Sequence, residues 1–189
     1  MLDSSNSFNS ENRLILVAGP ARSGKSAWAE HLAQQSGKRV TYVATARRDP
    51  NDAEWQARIE AHRQRRPGEW TTLEVPLELA TTVQTATADR CLLVDSLGTW
   101  LANWLDRDEV VWEQTVETLL MALQNTNTTI VLVAEEVGWG IVPAYPLGRM
   151  FRDRMGSLVQ RVGAIANPVY LVAGGHILNL SQLGTPMKH

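Results

Sequence analysis

The chain has 189 residues, of which 44% are hydrophobic and 20% are charged. A chain of this length and composition buries enough apolar surface to fold as one domain, which excludes disorder of the whole chain. A net charge of −2 and a pI of about 6.1 give no overall positive field, so binding to nucleic acid or to an anionic membrane surface is not expected.

The sequence also limits where the protein works and how it is held together. It contains neither an apolar stretch of about 18 residues nor a basic start followed by an apolar segment, so we expect no membrane span, no signal peptide and a cytoplasmic location. Cys91 is the only cysteine, which rules out an internal disulfide and a cysteine-rich metal site. Residues 1–12 are rich in Ser and Asn and predict a disordered tail before one domain spanning residues 13–189.

Short apolar runs alternate with stretches of helical spacing. The runs, typical of strands covered on both faces, are residues 14–18, 40–44, 91–94, 130–134 and 169–173. A short additional strand is predicted over residues 71–75. The predicted helices are residues 25–36, 52–65, 77–88, 99–105, 110–123 and 147–166. This alternation predicts a mainly parallel α/β sheet with helices on both faces, and ligands bind such sheets beyond the carboxyl ends of the strands.

A phosphate-binding motif follows the first predicted strand directly and opens a helix. It fits the P-loop pattern G-x-x-x-x-G-K-[ST] and consists of Gly19, Pro20, Ala21, Arg22, Ser23, Gly24, Lys25 and Ser26. Backbone N–H groups of such a loop surround phosphate oxygens, Lys25 would neutralise the terminal phosphates, and the Ser26 hydroxyl would ligate Mg²⁺. The alternative, a chance turn between strand and helix, is disfavoured because strand, motif and helix occur in the required order.

Asp95 is a second candidate site residue, because it ends the predicted strand over residues 91–94. A carboxylate at this position can hold Mg²⁺ through its water shell or orient a substrate. The alternative is a structural role, since Asp-Ser before a helix is a common capping arrangement.

A cluster of arginines surrounds His62, namely Arg47, Arg48, Arg58, Arg63, Arg65 and Arg66. By itself such a cluster is equally typical of a solvated basic helix face. Next to a P-loop it indicates an anion-binding field, in which a neutral imidazole is able to attack phosphorus and guanidinium groups stabilise the transferring oxygens. His31 and His176 lack such surroundings, and we expect both to be structural.

Several short segments of the chain, taken together, carry a combination of sequence motifs that is more specific than the P-loop alone. They are residues 19–26, 42–46, 58–63, 66–67, 70, 95–100, 103, 136–143 and 151–153. The most specific are His-Arg-x-x-Arg-Pro at residues 62–67 and Glu-Val-Gly-x-Gly-Ile-Val-Pro at residues 136–143. Together they resemble the bifunctional adenosylcobinamide kinase/adenosylcobinamide-phosphate guanylyltransferase family of cobalamin biosynthesis, over nearly the whole chain after the tail.

The resemblance implies a RecA-like, mostly parallel sheet and a compact homotrimer with active sites near the subunit boundaries. It implies ATP or GTP as phosphate donor, GTP as GMP donor, Mg²⁺, and adenosylcobinamide and its phosphate as acceptors. His62 would carry GMP covalently, while the P-loop holds phosphates and Asp95 serves the nucleotide site. GTP contacts are implied at Thr45, Ala46, Arg47, Arg63, Gln64, Arg65, Arg66 and Glu74.

The sequence departs from the family pattern in two places. Val159 replaces the usual asparagine of a Gly-x-x-Asn-Gln motif, and the end of the last predicted strand lacks its usual proline. Two other readings stay open: a simple P-loop kinase, and a nucleotide-dependent switch or assembly protein. Trp100 and Trp104 are four residues apart, and core packing is favoured over a subunit or corrinoid contact, whereas Trp139 between two glycines is expected to be exposed.

Overall fold

The computed structural model describes residues 13–47, 60 and 66–187. The predicted tail lies outside the described residues, and so does the predicted helix over residues 52–65 apart from residue 60. His62, Arg63, Gln64 and Arg65 therefore fall in the part of the chain that is not described.

The described residues form one sheet whose strands follow the predicted apolar runs. The strands are β1 (Leu14–Gly19), β2 (Arg39–Ala44), β3 (Thr71–Glu74), β4 (Arg90–Asp95), β5 (Thr129–Glu135), β6 (Val169–Ala173) and β7 (His176–Asn179). Their order is β3-β2-β4-β5-β1-β6-β7, and every neighbouring pair is parallel except β6 and β7. The prediction of an α/β P-loop domain with a RecA-like, mostly parallel sheet is confirmed.

Helices cover both faces of this sheet, as predicted. They are α1 (Lys25–Gln35), α2 (Leu79–Thr85), α3 (Leu97–Ala102), α4 (Glu109–Asn125), α5 (Pro146–Ile165) and α6 (Leu180–Leu183). One apolar cluster joins α1 to the sheet, and a larger one joins helices α2 to α5 to the opposite face. Trp100 is fully buried in the larger cluster, with Trp104 packed beside it, which confirms core packing for this pair.

The end of the chain differs from the sequence-based prediction. A tight turn at Gly174 and Gly175 leads into β7, an antiparallel strand that was not predicted. Because β7 lies at the sheet edge, its residues alternate between exposed and half-buried and form no continuous apolar run. His176 is exposed at the start of this strand, where it pairs with Ala173 at the carboxyl end of β6.

Strand order decides which side chains meet at the functional edge. Strand β5 lies between β1, which leads into the P-loop, and β4, which ends at Asp95. In the register, Gly19 is opposite Glu135, and Ala44 has Asp95 on one side and Glu74 on the other. The carboxyl ends of the six parallel strands, β1 to β6, therefore meet along one edge.

No described helix has both the length and the apolar character needed to cross a membrane.

Candidate active site

The P-loop leaves β1 at Gly19 and enters α1 at Lys25. Gly24 is the N-cap of α1 with φ of 94°, a left-handed conformation that favours glycine. The backbone N–H of Lys25 donates to Ser23 Oγ at 3.3 Å, and the Lys25 Nζ donates to the Pro20 carbonyl at 3.3 Å. The ammonium group and the N-terminus of α1 thus point into the same loop, where both favour phosphate oxygens.

Asp95 lies next to the first turn of α1. Its Oδ1 accepts a hydrogen bond from Ser26 Oγ at 3.4 Å, and its Oδ2 accepts one from the Tyr42 hydroxyl at 3.1 Å. Burial, followed by the Asp95 charge, raises the pKa of Tyr42, so this hydroxyl remains a proton donor at neutral pH. The alternative role of Asp95 as a helix cap is wrong, because Ser96 is the N-cap of α3 and accepts from the Thr99 N–H.

Arg66 is linked to the Asp95 carboxylate through Tyr42. Its guanidinium lies over the ring of Tyr42, with Cζ 3.2 Å from the ring centroid. Cation–π contact of this kind is strongest when water is excluded, and the Arg66 Nε is buried. Arg66 follows His62 by four residues in sequence, and it lies over Tyr42, whose hydroxyl donates to Asp95.

Glu135 is a second buried carboxylate at this edge, and sequence reasoning did not single it out. Its Oε2 accepts a hydrogen bond from the Gly98 N–H at 2.9 Å. Burial raises the pKa of the Glu135 carboxyl, opposed by hydrogen bonding from Ser96 and by the charge of Lys25. The available signal was its position, since Glu135 ends an apolar strand as Asp95 does.

Thr45 is buried beneath the same edge, and its hydroxyl group both donates and accepts hydrogen bonds. Its Oγ1 donates to the Ser96 carbonyl at 2.6 Å and accepts from the Ser96 N–H at 3.1 Å. The Asn103 side-chain amide donates to the Thr45 carbonyl at 2.8 Å. A Thr45 contact with nucleotide would therefore come from backbone N–H or from the residues that follow. Of those, Ala46 is half-buried and Arg47 is exposed.

Glu74 completes the part of the predicted site that is described. It ends β3 two strands away from Asp95, and its residue is exposed. Neighbouring strands lie about 4.8 Å apart, so Glu74 is separated from the Asp95 strand by roughly 10 Å of backbone. The predicted nucleotide contacts thus fall into two groups, the P-loop with Asp95 and a flank formed by the ends of β2 and β3.

A family model described as cobinamide kinase / cobinamide phosphate guanyltransferase matches residues 15–180. The chain belongs to this family. The resemblance inferred from the sequence motifs is thereby confirmed, and the protein is an enzyme of the cobinamide kinase/guanyltransferase family that uses nucleotides, rather than a nucleotide-dependent switch.

Individual proteins are similar to this chain over most of their own length. The bifunctional adenosylcobalamin biosynthesis protein CobP of Pseudomonas aeruginosa is 44% identical over 176 residues, covering 91% of this chain and 98% of its own. The corresponding protein CobU of Escherichia coli is 38% identical over 177 residues, covering 86% and 96%. A solved structure from Pyrococcus horikoshii OT3, a structural study of PH0250, superposes with a TM-score of 0.54 at 7% identity and covers 94% of each chain. This last likeness concerns the fold alone.

Proposed function

We propose that this cobinamide kinase/guanyltransferase catalyses two successive reactions at one P-loop. In the first, ATP or GTP phosphorylates the hydroxyl of adenosylcobinamide. In the second, GTP supplies GMP to adenosylcobinamide phosphate, which gives adenosylcobinamide-GDP and pyrophosphate. The observation that supports this most directly is the placement of Lys25, Ser26 and Asp95 around a single phosphate loop in a chain of this family.

In the kinase reaction, the acceptor oxygen forms a bond to the terminal phosphorus, the bond to the leaving diphosphate breaks, and the hydroxyl proton is released to solvent. Lys25 and the N-terminus of α1 stabilise the charge on the transferring oxygens. The Tyr42 hydroxyl holds Asp95 in place from the other side. These groups bind and orient phosphate, which is most of what phosphoryl transfer requires of a protein.

In the guanylyl transfer, His62 acts as the nucleophile. An unprotonated ring nitrogen forms a bond to the α-phosphorus of GTP, and the bond to pyrophosphate breaks. A phosphate oxygen of the acceptor then attacks the same phosphorus, and the bond to the imidazole nitrogen breaks, which regenerates His62. The covalent intermediate divides one difficult displacement into two easier ones. Arg66 supports this assignment, because it is four residues from His62 in sequence and lies over the Tyr42 ring next to Asp95.

The residues at this edge fit a magnesium ion shared with phosphates. Ser26 and Asp95 offer a hydroxyl and a carboxylate oxygen 3.4 Å apart, and oxygen donors are those that Mg²⁺ prefers. The described residues contain no cluster of three or more His, Cys, Asp or Glu side chains that would enclose a metal. When bound, Mg²⁺ would neutralise phosphate charge in both reactions.

Mass spectrometry of the intact protein after incubation with GTP and Mg²⁺ tests the central step. We expect a mass increase of one GMP, acid-labile and alkali-stable, and none with the α,β-methylene analogue of GTP. The His62→Ala variant should stay unlabelled and make no adenosylcobinamide-GDP. The matched control is His31→Ala, at an exposed position of α1, which should label normally. Label on His62→Ala, or kinase activity with no label on the wild type, would contradict the assignment and favour a simple kinase.

The assembly is a separate proposal. We infer a homotrimer from the family resemblance, and sedimentation equilibrium should give three times the chain mass of 21.0 kDa. A single species of one or two chains would contradict it.

A further inference from the structure

A chamber lies on the face of the sheet opposite to α1. Its volume is about 510 Å³, within the range of small-molecule sites. Strands β1 and β6 form its floor, α5 forms one wall, and residues 180–187 form the other. Leu16 lines the chamber and belongs to the apolar cluster beneath helices α2 to α5, whereas α1 packs on the other cluster.

One end of the chamber reaches the P-loop edge. Glu136 lines that end, and its backbone N–H donates to the carbonyl of Gly19 at 3.0 Å. Successive residues of a strand face opposite sides of a sheet, and this alternation continues from Glu135, the last residue of β5, to Glu136 directly after it. Glu135 lies on the side of Lys25, and Glu136 faces the chamber. A ligand in the chamber thus ends next to the first residue of the phosphate loop.

The side chains that line the chamber restrict the kind of ligand it can bind. It is mostly apolar and contains no Lys or Arg among the residues described, which excludes a site for nucleotide phosphates. Glu136 is half-buried, and burial raises the pKa of its carboxyl. The Gln160 side-chain amide donates to Met187 Sδ at 3.6 Å, a weak acceptor that a ligand carbonyl would readily replace. Trp139 stands at the rim with 61% of its surface exposed.

We propose that this chamber binds the corrinoid acceptor, with an apolar edge of the macrocycle inside and Trp139 against the ring. Gln160 and Glu136 then bind the amide side chains and the hydroxyl-bearing arm, which leads along Glu136 to Gly19. The inference rests on the proposed function, because that function makes a corrinoid the second substrate. The predicted nucleotide contacts at Ala46, Arg47 and Glu74 lie at the ends of β2 and β3, so the two substrates would approach the P-loop from opposite flanks.

The position of Val159 is explained by the same site. It lines the chamber next to Gln160, so the family's usual asparagine would place an amide in the wall at this point. In this chain the wall is apolar there, and Gln160 is left as the amide of α5 that faces the ligand. A Val159→Asn variant tests only the selectivity of the chamber, whereas filling the chamber tests its occupancy.

The closing experiment compares two glycines of α5. Gly163 lines the chamber, and a Cβ there would meet Leu16 Cδ2 at 3.7 Å, an ordinary contact. Gly156 is exposed, and a Cβ there would meet nothing within 4 Å. Cobinamide binding to Gly163→Leu, measured by equilibrium dialysis without nucleotide, should weaken at least about tenfold, as expected when side-chain volume enters a fitted pocket. Gly156→Leu should bind as the wild type does.

GMP labelling of each variant separates this inference from the proposed function. Gly163→Leu should label at the wild-type rate, because labelling needs no corrinoid. Absence of labelling in the wild type would refute the proposed function, while weakened cobinamide binding by Gly163→Leu would still support the chamber. If Gly163→Leu fails to fold, Trp139→Ala at the exposed rim decides in its place, with the same expected loss of affinity. Unchanged cobinamide affinity in the folded variant, or a changed oligomeric state instead, would overturn the proposal in favour of another ligand or a second copy of the chain.

Discussion

Asp95 receives hydrogen bonds from Ser26 on the P-loop side and from Tyr42 on the Arg66 side. Its charge is the part of the side chain that an amide cannot replace. We expect Asp95→Asn to lower Mg²⁺-dependent turnover at least about tenfold with little change in melting temperature, since the amide oxygen still accepts from Tyr42. Initial rates across a Mg²⁺ series check this. Tyr42→Phe, which keeps the carboxylate, should have a smaller effect, and equal rates for Asp95→Asn and wild type would argue against the site.

Lys25 supplies the ammonium group that both proposed reactions would share, and its Nζ already lies in the P-loop, where it donates to the Pro20 carbonyl. We expect Lys25→Ala to abolish both kinase activity and GMP transfer, since each requires a triphosphate held at its terminal phosphates. The matched control is Lys38→Ala. Lys38 is bonded to the Ala88 carbonyl at the opposite edge of the sheet, and its loss should leave both rates unchanged. Parallel assays of the two reactions decide, and loss of only one would refute a shared phosphate loop.

Candidate site residues could be predicted where their partners lie close in sequence. They could not be predicted where their partners lie far apart in sequence. The P-loop is contiguous, so its spacing alone identified Lys25 and Ser26. The link between Asp95 and Tyr42, and the burial of Glu135, depend on β2, β4 and β5 lying side by side. No local pattern encodes that order, although the end of each strand was the right place to look.

At the level of elements, continuous apolar runs identified the central strands, because burial on both faces leaves little polar alternation. The edge strand β7 was not predicted, because its residues alternate between exposed and half-buried and form no continuous apolar run. Helix α3 begins at Leu97, two residues before its predicted start, because the capping box of Ser96 and Thr99 fixes its first turn. Local capping chemistry therefore overrode the apolar spacing that predicted residues 99–105.

The first turn of α3 is joined to the end of β5 by the hydrogen bond from the Gly98 N–H to the Glu135 carboxylate. A Cβ at Gly98 would overlap this carboxylate, which would have to swing away and give up that hydrogen bond. We expect Gly98→Ala to destabilise the fold by about 1–3 kcal/mol and to lower turnover, because Asp95 and Ser96 immediately precede this turn. Gly156→Ala in α5 has open space and should stabilise by about 0.5–1 kcal/mol. Urea denaturation of both variants checks the difference, and equal midpoints would contradict the packing argument.

The buried thiol of Cys91 makes the stability of the whole fold depend on pH. Burial raises the pKa of its thiol from an ordinary 9.0 to about 11. Between these values the unfolded chain releases the thiol proton and the folded chain keeps it, so stability falls as pH rises. We expect the wild type to lose stability relative to Cys91→Ala, by up to about 1.4 kcal/mol per pH unit. Urea unfolding at several pH values from 8.5 upward checks this, and parallel curves for the two proteins would contradict it.

The alternation of Glu135 and Glu136 across β5 has a consequence for how the gene tolerates changes in length. A codon gained or lost within β5 would exchange the faces of the two glutamates, so that each carboxylate entered the other's compartment. Residues 144 and 145, between the specific motif at residues 136–143 and the start of α5, carry no such constraint, since they lie outside the sheet and are exposed. Insertions and deletions should therefore accumulate among relatives at residues 144 and 145, while the distance from Thr129 to Glu136 stays fixed.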